Sequence, residues 1–394
     1  MNSGISPLTA ATSSNPYPYY EQLRTKLGLH FDDDLNLWIA TSASDISLIL
    51  ANPSCRVRPA DEPVPKPILG SAAATVFGNL ARTNDGPKHQ ALKGMVSSVL
   101  ETLSPSQVRK KAQYWSARLY QELSPHRIGP GLTSFCYQIP MCVMADLIGI
   151  DRAQFKEVIG WIDAYCRCVA AGASQEQIQS GREAAASLLE SIRACMARAE
   201  GEQTRNGLIG AMLEAAKVDA SITFDQIAAN CIGLLTQGYE GNAGLISNTL
   251  LLLAQRHDLQ KRVTSDLSQT EMLVRESGRF DPATQNTRRF VVDDVEIAGK
   301  EVRAGQAILL IVAAANRDPA ANPHPDSFDI ERENAAIFSF SASRHACPGQ
   351  IAAETIAATA TAHLLERNID LSRVVQPTKY RNSINTRVAE LVMA

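Results

Sequence analysis

The sequence predicts a mainly α-helical protein with a small β portion, organised as a single domain over residues 1–394. Long stretches repeat apolar residues at helical spacing, and only short segments have the pattern of strands. No linker, repeat or Gly/Ser-rich tract divides the chain. A hydrophobic content of 45% over 394 residues is enough for a large core.

The individual elements follow from the same patterns. Three extended segments are predicted as strands, and the third is apolar enough to be buried: Leu37–Ala40, Val295–Ile297 and 308–312. Four helical stretches stand out, at 104–122, 182–199, 223–256 and 350–367. At about 1.5 Å per residue, the third of these helices would be roughly 50 Å long and would cross a whole domain.

Composition and charge exclude several classes of protein. With 38 basic and 41 acidic residues the net charge is −3, so no global basic field favours nucleic acid or an anionic membrane. The N-terminal residues lack a charged-then-apolar leader, and no run reaches the ~18 apolar residues of a membrane anchor. Eight dispersed cysteines without metal-ligand spacing indicate reduced thiols. We therefore expect a soluble cytoplasmic protein without a membrane or nucleic-acid partner.

Cys347 is the most informative residue, because a helix is predicted to begin directly after it. A thiolate at such a junction receives the positive end of the helix dipole, which lowers its proton affinity and suits it to bind iron. A lone cysteine before a helix is more often a buried core residue. The assignment therefore depends on further motifs in the chain.

Residues 340–349 resemble the haem-binding loop of the cytochrome P450 family, which has Phe, a loose Gly-x-Gly turn, a basic residue and Cys-x-Gly. Phe340, His345, Cys347 and Gly349 fit this pattern. Two serines, Ser341 and Ser343, stand where glycines are commoner. Small serines can replace glycines provided that the backbone does not require positive φ, so we expect the mismatch to be minor. The resemblance extends over 16–394 and implies a P450 fold, haem b and a long central helix above the haem.

A Glu-x-x-Arg motif precedes the loop at the expected distance. Glu276 and Arg279 share one helix face, and Arg332 can complete a buried triad with them. Such a motif alone is usually an exposed helix pair. In the family, the triad stabilises the core beneath the haem loop, and the resemblance implies this structural role here.

Four cationic side chains match the positions that hold the haem propionates in the family. They are His89, Lys93, Arg289 and His345. Lys93 stands where the family usually has arginine. Its ammonium is a compact charge and lacks the paired N–H donors of a guanidinium. Taken singly, each would more often be a surface charge. Together they match the family pattern, in which such side chains supply the hydrogen-bond donors that the buried propionate carboxylates need.

The long helix at 223–256 carries the family's oxygen-activation motif with one departure. Gly238 matches the residue that lets the helix open, and Glu240 matches the acid that feeds protons. Gly241, however, stands in place of the threonine that guides the second proton, and Asn242 follows about 100° further round the helix. We regard Glu240, Gly241 and Asn242 as the candidate catalytic residues.

Three interpretations of Gly241 remain open. Water held by its backbone, by Asn242 or by the substrate replaces the hydroxyl; or the enzyme does not use ordinary oxygen activation; or catalysis is reduced. We favour the first, because Glu240 and Cys347 are retained.

By family position, the substrate pocket draws on eight mainly apolar residues. They are Val76, Phe77 and Leu80, in the loop before the helix of His89; Leu234 and Gln237 above the haem; Ala283 and Thr284; and Ile384. The set suggests a small or medium hydrophobic substrate, such as a terpenoid, polyketide or modified amino acid. Gln237 would orient one polar group.

The resemblance implies a monomeric monooxygenase of specialised metabolism that takes oxygen from O2 and electrons from a separate ferredoxin and ferredoxin reductase. Candidate ferredoxin contacts are Arg109, Lys110, Lys111 and Arg344. Two alternatives are kept. One is an atypical haem-thiolate enzyme of coupling, rearrangement or peroxide use, and the other is a non-catalytic haem protein that binds partners.

Overall fold

A computed structural model describes residues 5–26, 28–201 and 207–394, with the side chain of residue 26 excepted. The expectation that no leader is present rests partly on residues 1–4, which lie outside the described residues. The chain forms two compact units. Unit 1 comprises Met1–Arg56, Ser116–Tyr137 and Glu240–Ala394, and unit 2 comprises Val57–Trp115 and Gln138–Tyr239.

Fourteen α-helices run through the described residues. In chain order they are α1 (Tyr17–Lys26), α2 (Ala43–Ala51), α3 (Ala72–Asn79), α4 (Gly86–Glu101), α5 (Pro105–Leu123), α6 (Gly131–Ile148), α7 (Phe155–Cys168), α8 (Gln175–Gly201), α9 (Gly207–Ala216), α10 (Phe224–Ala254), α11 (His257–Ser265), α12 (Thr270–Phe280), α13 (Val312–Asn316) and α14 (Gln350–Glu366).

The described strands all belong to unit 1. They are β1 (His30–Asp32), β2 (Leu37–Ala40), β3 (Cys55–Arg56), β4 (Thr287–Val291), β5 (Val295–Ile297), β6 (Lys300–Val302), β7 (Ala307–Leu310), β8 (Lys379–Tyr380) and β9 (Ala389–Glu390). Five of them form a sheet in the order β1-β2-β7-β4-β3, while β5 pairs with β6 and β8 pairs with β9. Within the larger sheet, β2 and β7 are parallel and the other pairs are antiparallel.

Both faces of the larger sheet are covered by hydrophobic clusters. Successive side chains of its central strand, β7, enter one cluster or the other. Ile308 and Leu310 pack into the cluster that contains Ile46 and Ile49 of α2. Leu309 packs on the opposite face with Tyr20 of α1. Side chains alternate between the faces of a strand, which explains why the sequence here is continuously apolar.

The regular elements described in unit 2 are all helices, and two of them approach closely at a glycine. A Cβ on Gly181 of α8 would lie 2.1 Å from the Cβ of Cys168 at the end of α7. The amide of Asn230 in α10 links that helix to the end of α3, donating to the Asn79 carbonyl at 2.8 Å and accepting from the Ala81 N–H at 2.9 Å.

The predicted fold class is confirmed, and the predicted helices lie within or close to α5, α8, α10 and α14. The strands predicted at Leu37–Ala40 and Val295–Ile297 are β2 and β5. The prediction at 308–312 is right only in part, because β7 ends at Leu310 and α13 begins at Val312.

Two further points concern helices. α10 is a continuous α-helix of 31 residues that includes Gly238, and the opening of the helix at Gly238 beside bound oxygen stays a prediction. α6 is long and apolar enough to cross a membrane, but 67% of its 18-residue window is buried within the protein, as in a core helix.

Candidate functional site

The loop that carries Cys347 belongs to unit 1 and ends at α14. Two short 3₁₀ turns, Phe338–Phe340 and Ser343–His345, precede the cysteine. The Cys347 N–H donates to the Phe340 carbonyl at 2.8 Å, which closes the loop on itself. All eight cysteines are described, and Cys347 is exposed whereas the others are buried or partly buried. The Cys347 sulfur is therefore accessible at the surface and is not packed into the core.

Ser341 and Ser343 do not satisfy the condition that we attached to them. Their φ angles are +61° and +57°, so the expectation that this turn avoids positive φ is wrong. Ser341 has ψ of −176°, a conformation that is close to glycine-only. Its buried hydroxyl oxygen also has no hydrogen-bond partner among the described residues. The loop adopts the backbone of the glycine pattern and holds two serines in it under strain.

Gly349, by contrast, is not required by its backbone angle. It is the N-cap of α14 with φ of −93°, which any residue adopts. A Cβ there would lie 3.9 Å from the Cys347 Sγ. The glycine therefore keeps the space beside the sulfur open.

Arg344 acts within the fold. Its guanidinium donates to the carbonyl oxygens of Leu50 and Ala51 at 3.3 and 3.2 Å, and to those of Asn52 and Cys55 at 2.8 Å each. These carbonyls lie at the C-terminal end of α2 and in β3, where backbone acceptors lack helical partners. We therefore withdraw the prediction that Arg344 contacts a ferredoxin.

Glu276, Arg279 and Arg332 are in contact. Arg279 donates through Nε to one carboxylate oxygen of Glu276 at 2.8 Å and through Nη2 to the other at 2.6 Å. Arg332 Nε lies 3.4 Å from the same carboxylate. Arg279 is 0% exposed and donates its remaining N–H groups to the carbonyls of Asn316, Pro325 and Ser327. Buried ions of this kind persist only when every donor and acceptor has a partner.

The four predicted propionate contacts divide between the units. Arg289, on β4 of unit 1, is buried and donates to the Arg288 carbonyl at 2.8 Å. His345 is half-buried in the cysteine loop of the same unit. His89 and Lys93 lie in unit 2, four residues apart on α4 and hence on one face of it.

His89 is buried and its protonation pattern is partly fixed. Its Nδ1 lies 2.8 Å from the Ala81 carbonyl, so Nδ1 must carry the proton, because a carbonyl only accepts. Nε2 can then donate to a carboxylate only when the ring is an imidazolium.

Glu240 is held by residues from the C-terminal segment of unit 1. Thr386 Oγ1 donates to its Oε2 at 2.9 Å, and Arg381 Nε lies 3.3 Å from Oε1. Arg381 also lies over the ring of Tyr137, with 5.3 Å between its Cζ and the ring centroid. Burial raises the pKa of Tyr137, and Arg381 only partly offsets that effect, so the phenol stays neutral at physiological pH.

The two residues after Glu240 differ sharply in their surroundings. A Cβ on Gly241 would meet no described atom within 4 Å. Asn242 is only 5% exposed, and its Oδ1 has no hydrogen-bond partner among the described residues. The structure therefore shows no interaction through which the Asn242 carbonyl oxygen replaces the missing hydroxyl.

The predicted substrate residues also divide between the units. Val76 and Phe77 are on α3 and Leu80 is its C-cap, so the prediction that they lie in a loop is wrong. A Cβ on Gly233 would lie 2.7 Å from Leu80, which shows how closely α10 passes that residue. In unit 2, Leu234 is half-buried and Gln237 exposed; in unit 1, Ala283 is buried and Thr284 and Ile384 are half-buried.

Sequence reasoning missed Thr386 and Arg381. They lie about 140 residues after Glu240, and no local pattern marks them. The family resemblance provides no signal either, because neither residue belongs to one of its motifs.

The profile described as "Cytochrome P450" matches residues 172–383, more than half of the chain. This chain belongs to the cytochrome P450 family. The "Biotin biosynthesis cytochrome P450" of Bacillus subtilis is 25% identical over 390 residues, covering 95% of each chain. The "Cytochrome P450 monooxygenase PikC" of Streptomyces venezuelae is 26% identical and covers 93% of this P450 chain and 86% of the relative.

The fold agrees with solved P450 structures. P450BioI, in complex with an acyl carrier protein ligated to hexadec-9Z-enoic acid, matches with a TM-score of 0.84 at 23% identity. The match covers 96% of this P450 and 97% of that chain. The family assignment makes this protein an oxidoreductase of the monooxygenase type with haem b as its cofactor.

The residues of the cysteine loop fit haem b. Burial raises the pKa of the thiols of Cys136, Cys231 and Cys168, and that of Cys55 to about 11, which keeps these thiols protonated and inert. Cys347 is exposed beside the space that Gly349 leaves, so its sulfur is accessible to an iron. Bound haem would supply the oxygen chemistry, in which a thiolate ligand favours O–O cleavage.

Proposed function

We propose that this P450 inserts one oxygen atom from O2 into a small or medium hydrophobic substrate of specialised metabolism. It does so as a soluble cytoplasmic monomer in which residues 1–394 form one haem domain. Electrons come from a separate ferredoxin and its reductase. Cys347 is the iron ligand, and His345, Arg289, His89 and Lys93 hold the propionates.

The observation that carries the proposal is the environment of Glu240. A family member that activates O2 needs an acid that can accept and release protons. That acid lies on the long helix that passes over the haem. Glu240 is 26% exposed and has a hydroxyl on one oxygen and an arginine on the other. Such a carboxylate is held in one position and remains reachable from solvent, which suits a group that transfers protons.

The iron ligand is tested by the spectrum of the reduced carbon monoxide complex. Wild type should show the strongly red-shifted Soret band of a thiolate ligand, and Cys347→Ser should abolish it. Cys166→Ser is the matched control, because Cys166 is partly buried and lies on α7 of unit 2. It should keep the band, and a normal band in Cys347→Ser would contradict the assignment.

The substrate class is tested by a screen of hydrophobic compounds for a change in haem spin state. The residues proposed for the pocket are mainly apolar, with Gln237 and Thr284 as polar exceptions, which supports a hydrophobic molecule with a single polar anchor. Terpenoids, polyketides and modified amino acids are the first candidates. Fatty acyl chains on a carrier protein join the panel because P450BioI has been solved with one. Mass spectrometry of hits, incubated with ferredoxin, reductase and O2, then identifies products.

A cluster on α5 is proposed to contact the ferredoxin. Arg109 and Lys110 are exposed, whereas Lys111 pairs with Asp146 at 3.0 Å. Replacing Arg109 and Lys110 together by Gln should raise the ferredoxin KM several-fold and weaken its dependence on salt. An unchanged KM would remove this cluster from the docking surface.

A peroxide-using enzyme is the second candidate, and Gly241 favours it. Because a Cβ there meets no described atom, Gly241→Thr should fold normally and restore the hydroxyl of the family pattern. Under the leading proposal we expect unchanged or lower product per NADH. A large rise would identify an impaired monooxygenase. Turnover with added peroxide and none with O2 would establish the second candidate.

A further inference from the structure

The C-terminal segment of unit 1 places a hydroxyl beside Glu240, the residue that precedes Gly241 on α10. Thr386 Oγ1 lies 2.9 Å from Glu240 Oε2 and 2.8 Å from Ser383 Oγ. Thr386 is 8% exposed, whereas Ser383 is half-buried. The three oxygens form a continuous chain from a partly solvated hydroxyl, through a buried one, to the acid.

The position of Thr386 is fixed by its backbone. Thr386 forms an antiparallel bridge with Thr284, and the residues on either side bond to the same partner segment. The Gln285 N–H donates to the Asn385 carbonyl at 2.9 Å, and the Arg387 N–H donates to the Ala283 carbonyl at 2.7 Å. The hydroxyl of Thr386 is therefore held in place by main-chain hydrogen bonds on both sides of the bridge.

A glycine one turn further along α10 lets this strand approach the helix. Gly244 is four residues after Glu240 and so lies on the same helix face. A Cβ on Gly244 would lie 2.6 Å from the Ala283 Cβ and 3.0 Å from the Arg387 carbonyl oxygen. Any larger residue would push the strand away and lengthen the contact between Thr386 and Glu240.

The Thr386 hydroxyl carries one proton but has an oxygen within hydrogen-bond distance on each side. It can therefore donate to the carboxylate or to Ser383, and can change from one to the other by rotation or proton transfer. The backbone N–H groups of Asn385 and Thr386 both reach Ser383 Oγ, at 3.3 and 3.0 Å, which orients the Ser383 proton away from them. The Ser383 hydroxyl has two acceptors within reach, Asn385 Oδ1 at 3.2 Å and Thr386 Oγ1 at 2.8 Å, so rotation can turn its proton from the amide to Thr386.

We propose that Ser383 and Thr386 form the proton path to Glu240. Hydronium in bulk water gives a proton to Ser383 Oγ, which releases its own proton to Thr386 Oγ1. Thr386 in turn releases its proton to Glu240 Oε2. One proton moves from solvent to the carboxylate, both hydroxyls are restored and no electrons are transferred. Thr386 is thus a positioning residue that acts through Glu240, and this role rests on the proposed oxygen-dependent function.

Three variants separate the relay from a structural role. Thr386→Val removes the hydroxyl and keeps the shape, whereas Thr386→Ser keeps the hydroxyl. Thr249→Val is the matched control, because Thr249 is a buried threonine on α10 whose hydroxyl bonds only to the Leu245 carbonyl among the described residues.

The first measurement does not need turnover. The infrared carboxylate band of Glu240 is identified as the band that disappears in Glu240→Gln. It should shift in Thr386→Val because the carboxylate loses a donor, and it should keep its wild-type position in Thr386→Ser and Thr249→Val. A band that does not move in Thr386→Val overturns the inference.

The second measurement uses the reconstituted holoenzyme. In Thr386→Val, product per NADH should fall by about tenfold, less than the roughly hundredfold or more that proton transfer typically contributes, because solvent still reaches the partly exposed Glu240. Hydrogen peroxide release should rise, and the solvent deuterium isotope effect should increase. Thr386→Ser should restore coupling to within about twofold of wild type.

The two measurements also distinguish failure of the relay from failure of the proposed function. If wild type makes no product from O2 with any substrate, the proposed function fails while the infrared shift still reports the Thr386 contact. If wild type is coupled and Thr386→Val is equally coupled, the relay is overturned and the proposed function stands.

Discussion

Glu276 and Glu240, both in unit 1, each face an arginine, and the two sites are built for opposite purposes. Glu276 is 3% exposed and receives two short bonds from Arg279, together with the Asp329 N–H at 3.0 Å. Glu240 is 26% exposed and has one arginine nitrogen at 3.3 Å and one hydroxyl. The first carboxylate is fully bonded and shielded from solvent. The second has fewer donors and remains in contact with solvent.

The difference shows why a Glu–Arg pair cannot be interpreted from residue types alone. In the interior, a forked arginine with all its donors bonded is required simply to make burial of the ions tolerable. Near solvent, an ion pair contributes little to stability, and the site is free to serve chemistry. Burial and the number of donors decide between the two.

The largest expected effect tests the buried site. Glu276→Ala leaves Arg279 as an unpaired buried charge, so the free energy of unfolding should fall by about 3–5 kcal/mol. We expect insoluble or haem-free protein. The control is Glu271→Ala, at an exposed position of the same helix, which should change stability by less than about 0.5 kcal/mol. Thermal unfolding and haem content decide, and a well-folded, haem-replete Glu276→Ala protein would contradict the buried triad.

The next prediction concerns the half-exposed site, where the effect should appear in chemistry. Glu240→Gln should lower product formation by about tenfold, equivalent to about 1.4 kcal/mol in the barrier, and raise peroxide release. Its free energy of unfolding should stay within about 1 kcal/mol of wild type, because only a partly exposed ion pair is lost. Product, peroxide and unfolding are measured on one preparation. Loss of stability as large as that of Glu276→Ala would erase the contrast between the sites.

A smaller effect is expected for Ser341 in the Cys347 loop, which packs against α12, the helix of Glu276. Ser339 Oγ donates to the Gly278 carbonyl at 3.0 Å, and the Asn316 amide accepts from the Phe338 N–H at 2.6 Å. A rigid surrounding of this kind can hold a strained residue in place. Ser341→Gly should therefore raise the free energy of unfolding by about 1 kcal/mol, the part of the strain that remains after the entropy cost of glycine.

The control for that substitution is Ser98→Gly on α4, where the backbone is helical. It should lower stability by about 0.5 kcal/mol, because glycine is a poorer helix former than serine. Denaturant unfolding of both variants measures the difference. Equal destabilisation by both would mean that the loop is not strained.

The smallest effect involves a third carboxylate, Asp146 in unit 2. Burial acts to raise its pKa, but hydrogen bonds from Lys111, Trp115 and Arg152 outweigh burial and lower the pKa from 3.8. A lowered folded-state pKa means that the interaction stabilises the protein above pH ~4 and that this contribution is lost as pH falls through the folded value.

Asp146→Asn should therefore lower the melting temperature at neutral pH by an amount equivalent to less than about 1 kcal/mol, since Lys111 and Arg152 are partly exposed. The difference from wild type should shrink as the pH is lowered below 4. A difference that grows under acid would show that the sign is wrong.

The fold was largely accessible from the sequence because its signals are local. The apolar repeat of α10 and the start of α14 after Gly349 are each contained in one stretch of chain. The contacts of Thr386 with Glu240 and of Arg344 with Leu50 depend on tertiary structure, and no spacing in the sequence encodes them. Ser341 shows a third limit, since a residue type states a preference for φ that the surrounding packing overrides.

The four carbonyls that hold Arg344 have a consequence for biosynthesis. They belong to residues 50–55, which leave the ribosome almost 300 residues before Arg344 is made. The Cys347 loop therefore lacks its anchor until nearly the whole chain has been synthesised and unit 1 has closed around segments from both ends. A truncated product that lacks its first 55 residues would retain the cysteine but not the carbonyls that hold its loop.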